Sequence, residues 1–232
     1  MKEFYSKKRL EFKALGFTYN WFVGYAIFFT LVTIMKAGDK NIMAQSMAID
    51  SMRFFAIFWG VVIFGSTANC LKGRRLLGET REKSVYFIFK ATAINSAIYA
   101  AIAIITFIIE AGAVKVVDLN GFTFIGVPFS NLGLITVINL FLVNFLFYFL
   151  IFSVQLILGV VHSSKKALAG MLLLPTTILA PIVAYKISVF INALNVSFFI
   201  KLIILYGTFI CIIMALMLLS REIFKRTDFS YA

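Results

Sequence analysis

Few side chains in this sequence can do chemistry, and most of those are neutral amides. Asn139, Asn144 and Gln155 punctuate one long apolar stretch, Asn95 stands beside Ser96 in another, and Asn69 follows Ser66 and Thr67 in a third. In a membrane, amides and hydroxyls hydrogen-bond one helix to the next, worth about 1 kcal/mol each. They can equally line a polar path between helices. Both readings stand for Asn69, Asn95, Asn139, Asn144 and Gln155. The sole histidine is His162. One histidine builds neither an HExxH pair nor a two-histidine metal site. No acid lies near it in sequence to complete a Ser-His-Asp arrangement. No metal ligands and no catalytic residues are assigned. The nearest approach to a phosphate-binding loop, GVVHSSKK at 159–166, lacks the second glycine before lysine. The chain is therefore not expected to hydrolyse ATP or to be an enzyme.

The elements that carry these residues follow from composition. Of 232 residues 62% are apolar and only 14% are charged. A soluble domain has about half its residues apolar and about a quarter charged, so a lone soluble enzyme and a disordered chain are both excluded. Six stretches reach or approach the roughly 20 apolar residues that cross a bilayer. They are 19–35, 54–71, 91–109, 132–161, 167–185 and 202–220. Backbone groups must pair within the chain in lipid, which makes these stretches helices. The fold class expected is all-α, polytopic, with six transmembrane helices. The fourth stretch, at about 45 Å, is longer than one crossing. Residues 116–131 are apolar but broken by Gly121, Gly126 and Pro128, and read as an interfacial or re-entrant piece. Pro175 and Pro181 should bend the fifth span, and Ala93, Ala97 and Ala101 form a small-residue packing stripe on the third.

Charge sets the orientation. Lys and Arg outnumber Asp and Glu by 22 to 10. Counted in alternate connecting segments, 16 cations fall on one side and 6 on the other. The positive-inside rule then places both termini in the cytoplasm. The excess cations meet anionic lipid, and nucleic acid is not needed to explain them. No Asp, Glu, Lys or Arg falls near the centre of an expected span. Glu110, Lys186, Lys201, Lys36 and Lys90 lie near span ends, where long side chains snorkel. Cys70 and Cys211 sit at or inside apolar stretches, so no disulfide framework is expected. No removable signal peptide is read at the start. The chain divides into an interfacial N-terminal helix over 1–18, a six-span domain over 19–220 and a short cytoplasmic tail over 221–232.

Two cytoplasmic segments carry more than topology. In the first, Phe4, Tyr5, Phe12, Leu15 and Phe17 mingle with five cations, as in a helix lying along the inner interface. The second, between spans two and three, sets Glu79 and Glu82 among Arg74, Arg75, Arg81 and Lys83. Residues 79, 82 and 83 lie close together on a helical surface. Here GETREKSVYFIF, at 78–89, resembles the coupling helix of the membrane subunit of a type-2 ABC exporter, with Arg81, Glu82 and Lys83 on the motif. Ser84 stands where that family often has glycine, and no proline precedes span three. The final SREIFKRTDFSYA is similar to the short tails of such permeases through Phe224, Lys225, Arg226 and Asp228. Small bacterial exporters of amphipathic peptides, of the phenol-soluble modulin and lantibiotic-immunity types, are similar in size.

The resemblance implies a permease in the bacterial plasma membrane that gives an amphipathic or hydrophobic substrate its pathway. It implies a second permease copy or a related permease as partner. It also implies a separate ABC ATPase that holds ATP and Mg and docks on Leu77, Glu79, Arg81, Glu82, Lys83 and Tyr86 of a coupling helix over 77–86. Two other readings stay open: the ligand-binding membrane subunit of a vitamin importer, and a membrane accessory protein.

Overall fold

A computed structural model describes residues 23–28, 30–32, 52–53, 55–57, 78, 80–116, 123–124, 127–128, 134–164, 179, 182–183, 186, 190, 194 and 196–226. Three long helices dominate them: α1 (Arg81–Val116), α2 (Leu134–Ser164) and α3 (Phe198–Arg226). A shorter apolar helix covers Val23–Val32, and residues 52–53 and 55–57 are also helical. Each long helix contains a segment of sufficient length and apolarity to cross a bilayer, namely Glu82–Glu110, Val137–Gly159 and Phe199–Ile223. The structure thus supports a multi-pass membrane protein. These segments contain or overlap the third, fourth and sixth expected spans. The first and second are described only in part, and the fifth falls mostly outside the described residues, as does the expected N-terminal helix over 1–18.

Local chemistry explains the helix ends. Gly78 has φ 74°, a left-handed conformation that glycine adopts without strain. Thr80, a favoured residue type before a helix, immediately precedes α1, and its carbonyl accepts the Ser84 N–H at 3.1 Å. Glu82 lies in the first turn, at the positive end of the helix dipole. Ser197 occupies the same place before α3, accepting the Lys201 N–H at 3.1 Å. At the other end of α3, Arg221, Lys225 and Arg226 suit the negative end of the dipole. The expected tail from Arg221 therefore begins as helix and stays helical to Arg226. Between α1 and α2, β1 (Thr123–Phe124) and β2 (Val127–Pro128) pair antiparallel, with Thr123 opposite Pro128. An open two-stranded edge is not tolerated in hydrocarbon. The pair therefore fits the interfacial reading of 116–131 better than a crossing.

The chain divides into two compact units. Unit 1 takes Met1–Phe55 and Ala97–Phe145, and unit 2 takes Ala56–Ser96 and Leu146–Ala232. In unit 1, Ile104 and Phe107 of α1 form a core with Leu140 of α2, and Val137 and Phe141 pack against it. Phe107 lies near the end of one apolar segment and Leu140 near the start of the next. Two crossings of one slab that touch at those levels run in opposite directions. In unit 2, Arg221 Nη2 pairs with Glu82 Oε1 at 3.1 Å, so the start of α1 and the end of α3 share a membrane face.

Burial distinguishes helices that hydropathy alone does not. From Tyr148 to Leu158 α2 is buried on nearly every side, as a helix apolar all round must be when protein surrounds it. By contrast, α3 exposes Phe199, Ile203, Ile210, Met214 and Leu218, a surface suited to lipid. On α1 Thr92, Ser96 and Ala100 are covered, as are Ser84, Ala103 and Thr106, whereas Ala93, Ala97 and Ala101 are only half-buried. The close-packing stripe is thus displaced by one residue, about 100° around the helix, from the alanine stripe expected.

In a chain freed of its two cysteines, Ser164→Cys is expected to react with a membrane-impermeant thiol reagent from the face that carries Glu82. Ser197→Cys is expected to react from the opposite face. Labelling of both from one side would overturn the antiparallel arrangement.

Candidate functional site

Among the described residues, several polar side chains within the spans bond to their own helix. The hydroxyls of Thr30, Ser96, Thr106 and Thr208 donate to the carbonyls of Ala26, Thr92, Ile102 and Ile204, four residues back, at 2.7–2.8 Å. Asn95 Nδ2 does the same to Ala91 at 2.9 Å. Back-bonding of this kind lets a polar residue sit in hydrocarbon without a partner helix.

Asn144 departs from this pattern. Its Nδ2 donates to the Leu140 carbonyl at 2.8 Å, which fixes the amide. Its Oδ1 accepts the Arg53 Nε–H at 3.2 Å, across 91 positions of sequence. Asn144 is fully buried. It lies four residues, about 6 Å along the axis, from the midpoint of Val137–Gly159. The Arg53 guanidinium therefore meets α2 well inside its apolar segment. This corrects the expectation that charge stays at span ends, under which Arg53 belonged to an outer connection. Helical structure already includes Met52 and Arg53, before the expected start of span two at residue 54. Glu110 is a second correction, since it is fully buried rather than snorkelling to water. Lys90 and Lys186 are exposed as expected and Lys201 is half-buried, while Lys36 lies outside the described residues.

Three helical segments of unit 1 position the Arg53–Asn144 pair. Tyr25 of the Val23–Val32 helix meets Phe55, two residues beyond Arg53, at 4.4 Å between ring centroids. Met52, next to Arg53, is fully buried. On α2, Leu140 is tied to the α1 core and Phe141 stacks with Phe145 at 6.5 Å.

The other amides are not gathered around this pair. Asn139 belongs to unit 1 and is half-buried, but it stands about 140° around α2 from Asn144. Gln155 is fully buried in unit 2, on the same face of α2 as Asn144 and about 16 Å along it. Asn95 also lies in unit 2, and Asn69 is outside the described residues. The sequence offered one signal for Arg53: a single cation beside an apolar run that extends to residue 71.

At the charged end of α1, Glu82, Lys83 and Tyr86 are exposed, Tyr86 by 69%. The coupling helix expected over 77–86 is not a separate element. The left-handed Gly78 interrupts that range, and α1 begins at Arg81 and runs on into the membrane segment. Leu77 and Glu79 lie outside the described residues. The Glu82–Arg221 pair is itself exposed, by 66% and 54%, so water and salt screen it. It contributes up to about 1 kcal/mol.

A double-mutant cycle on Arg53→Ala and Asn144→Ala, read by reversible unfolding in mixed micelles, is expected to give a coupling of about 0.5–2 kcal/mol. Thr208→Ala on exposed α3 should change stability by less than about 0.5 kcal/mol. No measurable coupling would remove the pair as an energetic link between its two helices.

No protein-family model matches the chain, and neither a curated protein nor a solved structure matches it. The conclusion reached from its own residues is a helical protein with three candidate membrane-spanning helices and a charged pair partner, Arg53, inside the apolar region.

Proposed function

We propose that the chain is the permease subunit of an ATP-driven exporter of the type-2 ABC class, in the bacterial plasma membrane. The observation that carries this reading is the head of α1. Glu82, Lys83 and Tyr86 are exposed there, and the same helix continues without a break to Val116. A soluble motor can move a membrane path only through an element that is accessible at the face and stiff through the bilayer. An uninterrupted helix of 36 residues meets both needs. Arg221 ties its head to the end of α3, so a push there is shared with a second crossing.

The ATPase is a separate subunit that holds ATP and Mg. It biases the permease between two states by binding them unequally. Six crossings with both termini cytoplasmic complete the reading. Antiparallel α1 and α2, together with the shared face of Glu82 and Arg221, support an odd number of crossings between Ser164 and Phe198. Exposed α3 offers its apolar surface to lipid or to the second permease, identical or related. The substrate is amphipathic or hydrophobic, as the apolar composition of the chain suggests.

Affinity purification from native membranes is expected to bring down an ATPase. The triple charge reversal Arg81→Glu, Glu82→Lys and Lys83→Glu should reduce its recovery about tenfold or more, corresponding to a loss of some 1.4 kcal/mol. An ATPase recovered equally with the reversed chain would show that the head of α1 is not the docking site.

A further inference from the structure

We propose that Lys83, Tyr86 and Lys90 of α1 form a binding site for the head group of an anionic phospholipid. All three are exposed, and so is Ile94 one turn further on. At about 100° per residue the four fall within an arc of roughly 80°. They make one stripe of cation, ring, cation and aliphatic side chain. Ser84, Ile88, Phe89 and Thr92, which point elsewhere around the helix, are buried. The whole stripe belongs to unit 2. Lys90 lies eight residues, about 12 Å along the axis, inside the apolar segment that begins at Glu82. A soluble partner docked on the head of α1 does not reach that depth, whereas lipid surrounds it. An ionisable side chain exposed to hydrocarbon is costly unless its charge is carried to the interface. Helical side chains lean toward the N-terminus, so Lys90 extends along α1 toward Tyr86 and the head-group level.

Charge complementarity names the occupant. Glu82 stands about 100° around the helix from Lys83 and pairs with Arg221. Among the described residues, neither Lys83 nor Lys90 enters an ion pair. Their backbones are two turns apart, about 10 Å, and their flexible four-carbon stems let both ammonium groups converge on one phosphate. A zwitterionic head brings its own cation and gains less there. Tyr86 supplies an amphipathic ring of the kind that sits at head-group level. Ile94 offers the acyl chain an apolar surface, from which a free phosphate gains nothing. The inference stands apart from the export reading, because lipid binding requires no ATPase.

The test uses the full chain, purified in a neutral maltoside detergent, with bound lipid counted by native mass spectrometry. Dioleoylphosphatidylglycerol is expected to bind about fivefold or more tightly than dioleoylphosphatidylcholine, which carries the same tails. Lys90→Gln should cut that preference about threefold or more, and Lys83→Gln combined with Lys90→Gln should remove it. Lys90→Arg, which keeps the charge, should hold the preference within about twofold. Lys186→Gln deletes another exposed lysine of unit 2 and should leave the preference unchanged. It thereby separates a site from the general attraction of a cationic chain. Unaltered binding of phosphatidylcholine by the Lys90→Gln chain reports that this surface variant is folded. Glycerol phosphate, a head without tails, should not displace phosphatidylglycerol at equal concentration. Four results would overturn the site. They are no preference in the wild-type chain, full preference in the Lys90→Gln chain, an equal loss with Lys186→Gln, or displacement by glycerol phosphate.

Discussion

Hydrocarbon contains no water, so every polar group that enters it must find a partner inside the protein. The rest of this structure depends on that constraint. It makes the crossings helical, because only then does each backbone group pair within its own segment. It keeps the short β1–β2 pair between α1 and α2, in a segment broken by glycine and proline. It also explains the repeated bond from a hydroxyl or amide to the carbonyl four residues back at Thr30, Asn95, Ser96, Thr106 and Thr208. Each of those residues is tolerated because its own helix satisfies it.

Arg53 shows the same constraint at its most demanding. A guanidinium has too many donors for one turn of its own helix to absorb, so it draws on a distant residue. Asn144 can serve because it is already locked to Leu140. The result is a polar point in unit 1 where the segment around Arg53 meets α2, with the α1–α2 core one turn along. In unit 2 the helices differ in cover: α2 is buried on nearly every side from Tyr148 to Leu158, whereas α3 exposes an apolar surface. The head of α1 is charged and accessible, with Glu82, Lys83 and Tyr86 exposed.

Much of this was legible in the residues. Three of the expected spans, 91–109, 132–161 and 202–220, fall on α1, α2 and α3. The break in 116–131, where the described residues form the β1–β2 pair, could be read from Gly121, Gly126 and Pro128. Asn144 was among the amides singled out. What could not be read was which of these amides meets Arg53. Asn139 and Asn144 are the same residue type in the same apolar run, and only helix rotation and the approach of residue 53 separate them. The alanine stripe on α1 illustrates the same limit. Two adjacent small-residue stripes were on offer, and packing chose Thr92, Ser96 and Ala100. The separate helix expected over 77–86 was not legible as part of a longer one: α1 starts at Arg81, after Thr80, and runs to Val116.

The sequence by itself determined that this is a helical membrane protein, because apolar length and the scarcity of charge depend only on composition and order. It also determined which segments carry the charge. Tertiary structure alone decided which apolar faces are core and which face lipid, since hydrocarbon and protein interior are equally apolar and hydropathy does not distinguish them. It alone decided that Arg53 reaches Asn144 and that Glu110 is covered. Those outcomes depend on how helices distant in sequence rotate and approach, and residue spacing carries no record of that geometry.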